Sequence, residues 1–205
     1  LDDDGNGYID DVLGWDFVEN KNDPMDRHGH GTHVAGTIGA AGNNSVGITG
    51  VAWNTRLMAV RGLDAAGHGY TDDLITAIEY ASDNGADIIN LSWGGSDFSQ
   101  GLKDAIDASP ALIVCAAGND AQDTDDTPHY PSAYTCANII SAAALDSDDT
   151  LAGFSNYGSA SVDVGAPGDL IYSTILPRTT LHEYSFDNNG LDGWTTGGDY
   201  NWGLH

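Results

Sequence analysis

The sequence predicts an α/β fold of three layers, in which a mostly parallel sheet has helices on both faces. Two observations carry this prediction. Short apolar segments alternate along the chain with segments of helical period, which is the order of βαβ units. The short segments are apolar at nearly every position, as in strands that are covered on both faces. The 205 residues are enough for one hydrophobic core of ordinary size.

Each element follows from its local pattern. The first helix is predicted from His30 to Ala41, where small residues dominate; their low helix propensity means that close packing must stabilise it. The second helix is predicted at 71–84, because apolar residues recur there at helical spacing and Gly85 follows. A third helix is predicted at 99–109. Strands are predicted at 56–61, 86–91, 111–117 and 138–144.

Two stretches depart from this alternation. Residues 1–28 are acidic and rich in turn-forming residues, so we predict loops there. After Pro177, aromatic residues mix with Gly, Asp and Asn without a helical period, as in short strands and turns. We therefore predict one domain at residues 1–180 and the start of an inserted β-rich module at 181–205. Because the chain starts at Leu1 without Met, we expect a piece of a longer precursor, truncated at both ends.

The charge of the chain excludes several classes of function. Asp and Glu number 31 against 6 Lys and Arg, which gives a net charge of −25 at pH 7. Nucleic-acid binding needs clusters of Lys and Arg, so we expect no nucleic-acid partner. No apolar run reaches the roughly 20 residues of a spanning helix, so we expect no membrane partner. We also expect the protein to be a monomer. Cys115 and Cys136 form either one disulfide or two buried thiols, and the sequence leaves both open.

The stretch from His28 to Gly36, His-Gly-His-Gly-Thr-His-Val-Ala-Gly, carries the strongest chemical signal. His30 would stand at the N-terminus of the first helix, where the helix dipole disfavours imidazolium and keeps the ring neutral as a general base. Two other interpretations stay open. His28, His30 and His33 would together make a metal site, although no HExxH pattern and no cysteine accompanies them. Alternatively they are structural histidines, which is the better interpretation of His33.

The stretch from His30 to Gly36 resembles the histidine motif of the subtilisin-like serine proteases (subtilases), and further motifs follow in the order of that family. Residues 89–95 (Ile-Asn-Leu-Ser-Trp-Gly-Gly) resemble its substrate-cleft strand, and residues 114–119 (Val-Cys-Ala-Ala-Gly-Asn) its oxyanion-hole segment. Residues 154–158 and 162–168 resemble the segments that precede its nucleophile. The similarity covers roughly residues 14 to 176, and it implies the subtilisin-like α/β fold.

The resemblance implies a role for each matching residue. His30 would take the proton of a serine hydroxyl and pass it to the leaving amine. Asn119 would donate its side-chain amide to the oxyanion of the tetrahedral intermediate. The substrate-binding residues would be Ser92, Trp93, Gly94, Ala117 and Gly118, with backbone groups pairing to an extended peptide. Two structural alternatives stay open, a turn role for Asn119 and a core position for Trp93.

Two members of the subtilase triad are missing from the sequence. The family carries its aspartate in an Asp-Ser/Thr-Gly turn before the histidine, and its serine in a Gly-Thr-Ser-Met-Ala stretch after it; neither motif is present. We expect both residues outside this chain, in a secreted serine endopeptidase that acts on polypeptides, and we expect these 205 residues alone not to hydrolyse peptides. The alternative is a non-catalytic pseudopeptidase, a calcium-dependent peptide-binding domain.

The acidic N-terminal stretch matches the first half of an EF-hand calcium loop. The ligands would be Asp2, Asp4, Asn6, the carbonyl of Tyr8, and Asp10. The closing Glu of such a loop is replaced by Leu13, and a solvated acidic turn stays open as an alternative. Oxygen ligands without His or Cys select Ca²⁺, which we expect as a structural cofactor. A weaker second site would use Asp16, Glu19 and Asp23, with Lys21 among them.

Overall fold

A computed structural model describes residues 2 and 4–176 of the chain. The β-rich module predicted at 181–205 lies outside this range. The elements in chain order are β1 (Gly14–Asp16), α1 (His30–Gly39), β2 (Ala59–Arg61), α2 (Thr71–Asp83), β3 (Ile88–Leu91), α3 (Gln100–Ala108), β4 (Leu112–Ala116), β5 (Ile139–Leu145) and β6 (Val164–Pro167). Within the described range, no helix is both long enough and apolar enough to cross a membrane.

Every strand pairs in parallel with its neighbours. β1 pairs with β2, and β3, β4, β5 and β6 form a four-stranded sheet in that order. The α/β class with a parallel sheet is therefore confirmed. The six strands do not form one continuous sheet, because β2 and β3 are not hydrogen-bonded to each other in the part of the chain that the structure describes. Each of these two strands keeps one edge without a ladder partner among those residues.

The amphipathic helices α2 and α3 form where their sequence patterns predict them. α2 carries Asp72 in its first turn, where negative charge is favourable for the helix dipole. Just after this helix Gly85 takes a left-handed conformation with φ of +78°, which glycine adopts most easily. α3 is capped by Ser99, whose hydroxyl oxygen accepts the backbone N–H of Leu102 at 3.2 Å. Such local signals explain why both helices end within two residues of their predicted limits.

Strands β1 and β6 differ from the prediction, since the sequence gives no strand signal at either place. β1 lies in the stretch 1–28 for which loops are expected, and β6 contains Gly and Pro, which are rare in strands. With three and four residues, neither strand shows a readable period. They are strands because their backbones pair with β2 and β5. Tertiary pairing thus determines these two elements.

The hydrophobic core lies between the β3–β4 pair and the helices α2 and α3. Its buried residues are Ile78, Leu91, Leu102, Ile106, Ala111, Ile113, Cys115, Tyr134 and Cys136. Both cysteines are free thiols, which decides between the two states that the sequence leaves open. Burial raises the pKa of Cys115 to about 12, so this thiol stays protonated at neutral pH.

A buried ion pair joins β1 to β2. Asp16 is completely buried, and one of its carboxylate oxygens accepts Nη1 of Arg61 at 2.5 Å. The other oxygen accepts the backbone N–H of Val18 at 2.9 Å and of Glu19 at 3.1 Å. Since both oxygens are used, Asp16 is a structural carboxylate that turns the chain after β1.

We expect Asp16→Asn to lower the free energy of unfolding by up to about 3–5 kcal/mol, because the change removes the buried partner charge of the Arg61 guanidinium and leaves it only the exposed Glu19. Urea unfolding of the protein measures this. Asp107→Asn is the matched control, since it removes a carboxylate that pairs with Lys103 on an exposed helix face. Its effect should be far smaller. Equal losses for the two variants would contradict the structural role of Asp16.

Candidate active site

The N-terminus of α1 is organised by a carboxylate that precedes it. The helix begins at His30, and the N-cap residue Gly29 has no side chain to cap it. Asp26 takes over this function: Oδ2 accepts the backbone N–H of Thr32 at 2.8 Å and its hydroxyl at 2.7 Å. Oδ1 accepts the backbone N–H groups of His28 and Gly29, both at 2.8 Å. The turn that presents His30 is therefore fixed by four hydrogen bonds to one side chain.

These hydrogen bonds keep Asp26 ionised. Burial alone would raise the pKa of this carboxyl, but the bonds from Gly29, Thr32 and His28 outweigh burial and lower the pKa to about 2. A negative charge therefore stands beside the helix N-terminus at any physiological pH. The charge also interacts favourably with the positive end of the helix dipole.

The imidazole of His30 is half-buried, and its surroundings favour the neutral form. Burial is the main cause of the lowered pKa of His30, followed by the positive charges that His28 and His33 can carry. The charge of Asp26 opposes this shift. The rings of His28 and His30 lie 6.3 Å apart, centroid to centroid, and are perpendicular. A neutral, half-exposed imidazole can accept a proton from a hydroxyl group that lies beside it.

The other histidines of the motif differ from His30. Nε2 of His33 lies 3.1 Å from the carbonyl oxygen of Ile171, and the His33 carbonyl accepts the hydroxyl of Ser173. These contacts fit a structural role for His33. Among the described residues, no three His, Cys, Asp or Glu side chains are grouped so that they could hold a metal ion. His28, His30 and His33 therefore do not form the metal site considered from the sequence.

The predicted substrate segments leave the sheet side by side. Ser92 follows β3, and its hydroxyl oxygen accepts Nδ2 of Asn90 at 2.8 Å. Ala117 follows β4 and donates its N–H to the carbonyl of Ala142 at 2.9 Å. A cavity of about 190 Å³ opens at this edge, lined by Asn90, Ser92 and small residues such as Ala144. Ligand sites of parallel sheets lie at the carboxyl ends of the strands, which is where this cavity is found.

The residues of the two segments are exposed to different degrees. Trp93 is half-buried and packs against the hydrophobic core, so it is a partly buried residue at the edge of the core. Gly94 is exposed. Gly118 is buried with φ of +111°, a conformation that favours glycine. Asn119, directly after it, is half-buried, which leaves part of its side chain accessible.

His129 also belongs to this region, although no sequence motif points to it. A Cβ atom on Gly94 would lie 2.3 Å from Cε1 of His129, and one on Gly118 would lie 3.1 Å from its Cδ2. The imidazole therefore fills the space between the two predicted substrate segments. Burial lowers the pKa of His129, against the charge of Asp120. Its Nδ1 is buried and has no hydrogen-bond partner among the described residues.

The acidic loop predicted to bind calcium is folded by its own side chains. Asp2 accepts the backbone N–H of Gly5 at 2.8 Å and of Gly7 at 3.0 Å. Asp4 accepts the backbone N–H of Asn6 at 3.2 Å. The side-chain oxygen of Asn6 in turn accepts the backbone N–H of Tyr8 at 2.8 Å. The carboxylate and amide oxygens at alternate positions are thus occupied by hydrogen bonds within the turn.

Asp11, which the sequence does not single out, fastens this loop to α2. Its Oδ2 accepts the hydroxyl of Tyr80 at 2.6 Å and the amide of Asn6 at 3.0 Å. Asn6 also donates to the side chain of Asn84 at 3.0 Å. Asp10, the predicted ligand beside it, has φ of +55°. The loop therefore lies against the C-terminal end of α2.

The second acidic loop contains its own cations. Nζ of Lys21 lies 2.6 Å from a carboxylate oxygen of Glu19 and 3.6 Å from one of Asp23. Arg61 reaches Glu19 at 3.3 Å in addition to its bond with Asp16. Side-chain cations therefore offset the negative charge where the sequence suggests a weaker calcium site.

Comparisons with known proteins agree on one family. The sequence model of the subtilase family matches the chain over residues 1–195. It is 47% identical over 167 residues to the thermophilic serine proteinase of Bacillus sp. (strain AK1), which covers 80% of this chain and 40% of that protein. It is 44% identical over 177 residues to thermitase of Thermoactinomyces vulgaris, covering 85% of this chain and 61% of thermitase. The chain thus spans about half the length of these relatives.

A solved structure shares the fold. The crystal structure of a cold adapted subtilisin-like serine proteinase superposes with a TM-score of 0.69 and 35% sequence identity. The match covers 79% of this chain and 57% of that protein. The three-layer, subtilisin-like α/β class predicted from the sequence is thereby confirmed.

Asp26→Asn should lower the pKa of His30 further, because it removes a negative charge that opposes the effect of burial and of the neighbouring histidines. Titration of the His30 ring by NMR measures this shift. Asp146→Asn is the matched control, since Asp146 likewise accepts the N–H and hydroxyl of one threonine, Thr150. An unchanged or raised His30 pKa in Asp26→Asn would contradict the electrostatic role of Asp26.

Proposed function

Because this chain belongs to the subtilase family, we propose that it is part of a secreted serine endopeptidase that cleaves polypeptides through a serine acyl-enzyme. The observation that carries this proposal is the half-buried imidazole of His30 at the start of α1, with a lowered pKa. A base that is neutral at working pH is what proton transfer from a serine hydroxyl requires.

The proposed reaction uses His30 and Asn119 in two steps. His30 takes the proton of the serine hydroxyl while the serine oxygen attacks the peptide carbonyl carbon. Asn119 donates its side-chain N–H to the oxyanion that forms. His30 then gives the proton to the leaving amine, and the acyl-enzyme remains. A water molecule, deprotonated by His30, hydrolyses the acyl-enzyme, and the proton returns to the serine.

The substrate would lie along the edge where β3 and β4 end. Ser92, Trp93 and Gly94 would pair with an extended peptide through backbone groups. Ala117 is 1% exposed and Gly118 is buried, so these two residues would support the other side of the cleft from beneath. We propose that the serine and the aspartate of the triad lie outside this chain.

We also propose that the loop at residues 2–10 binds a structural Ca²⁺. Asp2, Asp4 and Asp10 supply carboxylates, while the side chain of Asn6 and the carbonyl of Tyr8 would complete an all-oxygen site. In this structure Asp2, Asp4 and Asp10 are not grouped closely enough to hold an ion, so binding would have to draw their carboxylates together. A bound ion would offset charge repulsion in the loop and do no chemistry.

The surroundings of the loop favour a cation. Its contact with Asn84 places it at the C-terminus of α2, the negative end of that helix dipole. The pKa of Tyr8 is raised by burial and by the negative charges of Glu79, Asp83 and Asp11. An incomplete loop binds calcium only where the ion is abundant, which supports secretion.

The proposed catalytic roles predict two distinct kinetic losses in the full-length protein. His30→Ala should lower kcat on a peptide substrate by about 10⁶-fold, the scale for a triad member. Asn119→Ala should lower kcat by about 10²–10³-fold with KM little changed, because its donor acts on the transition state. Asn44→Ala, a change at an exposed loop asparagine, is the control and should leave kcat unchanged.

The outcome also separates the enzyme from its alternative. If the full-length protein binds peptides but neither hydrolyses them nor reacts with a serine-directed phosphonate, it is a pseudopeptidase. A loss in Asn119→Ala that appears mainly in KM would contradict the oxyanion role. The coding sequence on both sides supplies a direct check, since the enzyme requires Asp-Ser/Thr-Gly upstream and Gly-Thr-Ser downstream.

Removal of calcium should lower the melting temperature of the protein by about 5–10 °C, which corresponds to a ligand present at about 100 times its Kd. Thermal unfolding with and without EDTA measures this. Asp4→Asn should abolish the response, and Asp97→Asn, at an exposed position elsewhere, should preserve it. An EDTA-insensitive melting temperature in the unaltered protein would refute the calcium proposal.

A further inference from the structure

One buried amide side chain, that of Asn156, binds the backbone on both sides of Asn119. Asn156 is 1% exposed. Its Nδ2 donates to the carbonyl oxygen of Ala117 at 3.0 Å. Its Oδ1 accepts the backbone N–H of Asp120 at 2.9 Å and of Gln122 at 3.1 Å. The side chain is thus bonded before and after the residue assigned to the oxyanion.

Backbone hydrogen bonds extend this contact along the same two segments. The N–H of Asn156 donates to the carbonyl of Gly118 at 2.9 Å. The N–H of Ala121 donates to the carbonyl of Phe154 at 2.9 Å, and that of Tyr157 to the carbonyl of Gln122 at 3.0 Å. Together with the side-chain bonds, residues 117, 118, 120, 121 and 122 are all fastened to the segment 154–157.

The conformation of the turn depends on this contact. Gly118 has φ of +111°, and a Cβ atom there would lie 2.2 Å from Nδ2 of Asn156. The amide therefore occupies the space that a side chain at position 118 would need. Ala121 has φ of +53°, in the left-handed region that is unfavourable for alanine. A turn with these conformations persists only where its surroundings hold it in place.

We propose that Asn156 is a positioning residue of the active site, which fixes the turn so that Asn119 directs its amide at the oxyanion. This rests on the proposed function, in which Asn119 is that donor. An oxyanion donor acts only within about 2.7–3.1 Å of the developing charge. A displacement of about 1 Å can cost about 10²-fold in rate. A buried side chain with three hydrogen bonds supplies the rigidity that such a tolerance demands.

A double-mutant cycle in the full-length protein tests this role. Asn156→Asp replaces the donor that faces the Ala117 carbonyl by an oxygen and keeps the acceptor for Asp120. We expect kcat to fall by about 10²-fold with KM little changed. In the Asn119→Ala background the same substitution should cost less than about 2-fold, because the donor it positions is already absent.

Asn138→Asp is the matched control. Nδ2 of the half-buried Asn138 donates to the carbonyls of Ile106, Ser109 and Ala111 at 2.8–3.1 Å, away from the turn. This variant should lose stability and retain kcat per active site, as counted by titration with a serine-directed phosphonate. If Asn156→Asp does not fold, Asn156→Ser enters the same cycle, since its hydroxyl is too short to make the bonds on both sides of Asn119.

Four results would overturn the proposal. The first is a normal kcat in Asn156→Asp. The second is a loss of kcat that is as large in the Asn119→Ala background as in the unaltered protein. Either result would make Asn156 merely structural. The third needs no variant: in the unaltered protein, rapid hydrogen exchange at the amides of Asp120 and Gln122 would show that the turn is not held. A normal kcat in Asn119→Ala alone is the fourth, and it refutes the oxyanion role itself, so the two failures are distinguishable.

Discussion

The parallel pairing of β4 with β3 and β5 is the constraint on which the rest of the structure depends. Parallel strands end at the same edge, so the segments that follow β3 and β4 must emerge as neighbours. This places Gly94 and Gly118 on either side of one space, into which the ring of His129 projects. The chain that follows β5 then returns through residues 154–157 to bind the turn around Asn119. The parallel sheet thus brings the segments of the candidate site together.

The acidic composition has a structural role as well as an electrostatic one. Several aspartates accept backbone N–H groups and organise turns, among them Asp26 before α1 and Asp125, which receives hydrogen bonds from residues 159–161. Hydrogen bonds, with that from the Ser161 hydroxyl foremost, lower the pKa of Asp125 to about 2. Carboxylates bound in this way are already satisfied by the protein. The net charge therefore overstates how many acidic groups need a cation from solvent.

The sequence predicts those features that local pattern determines. Helices α2 and α3 carry their own period and caps, and His30 lies in a motif specific enough to assign a role. Strands β1 and β6 carry no such pattern, since pairing with distant strands creates them. The same reason hides His129 and the role of Asn156, whose bonds span 34 to 39 residues of sequence. The motif around residue 156 resembles a subtilase segment, but only the folded chain connects it to the turn around Asn119.

The two acidic loops near the N-terminus show how charge can be balanced in two ways. The loop with Glu19 and Asp23 holds Lys21 among its carboxylates and Arg61 beside them. The loop at residues 2–10 contains no Lys or Arg, and its contacts run to Tyr80 and to Asn84 at the negative end of α2. An ammonium fixed in place leaves no vacant position for a metal ion. The calcium proposal is therefore confined to residues 2–10, where no Lys or Arg lies among the carboxylates.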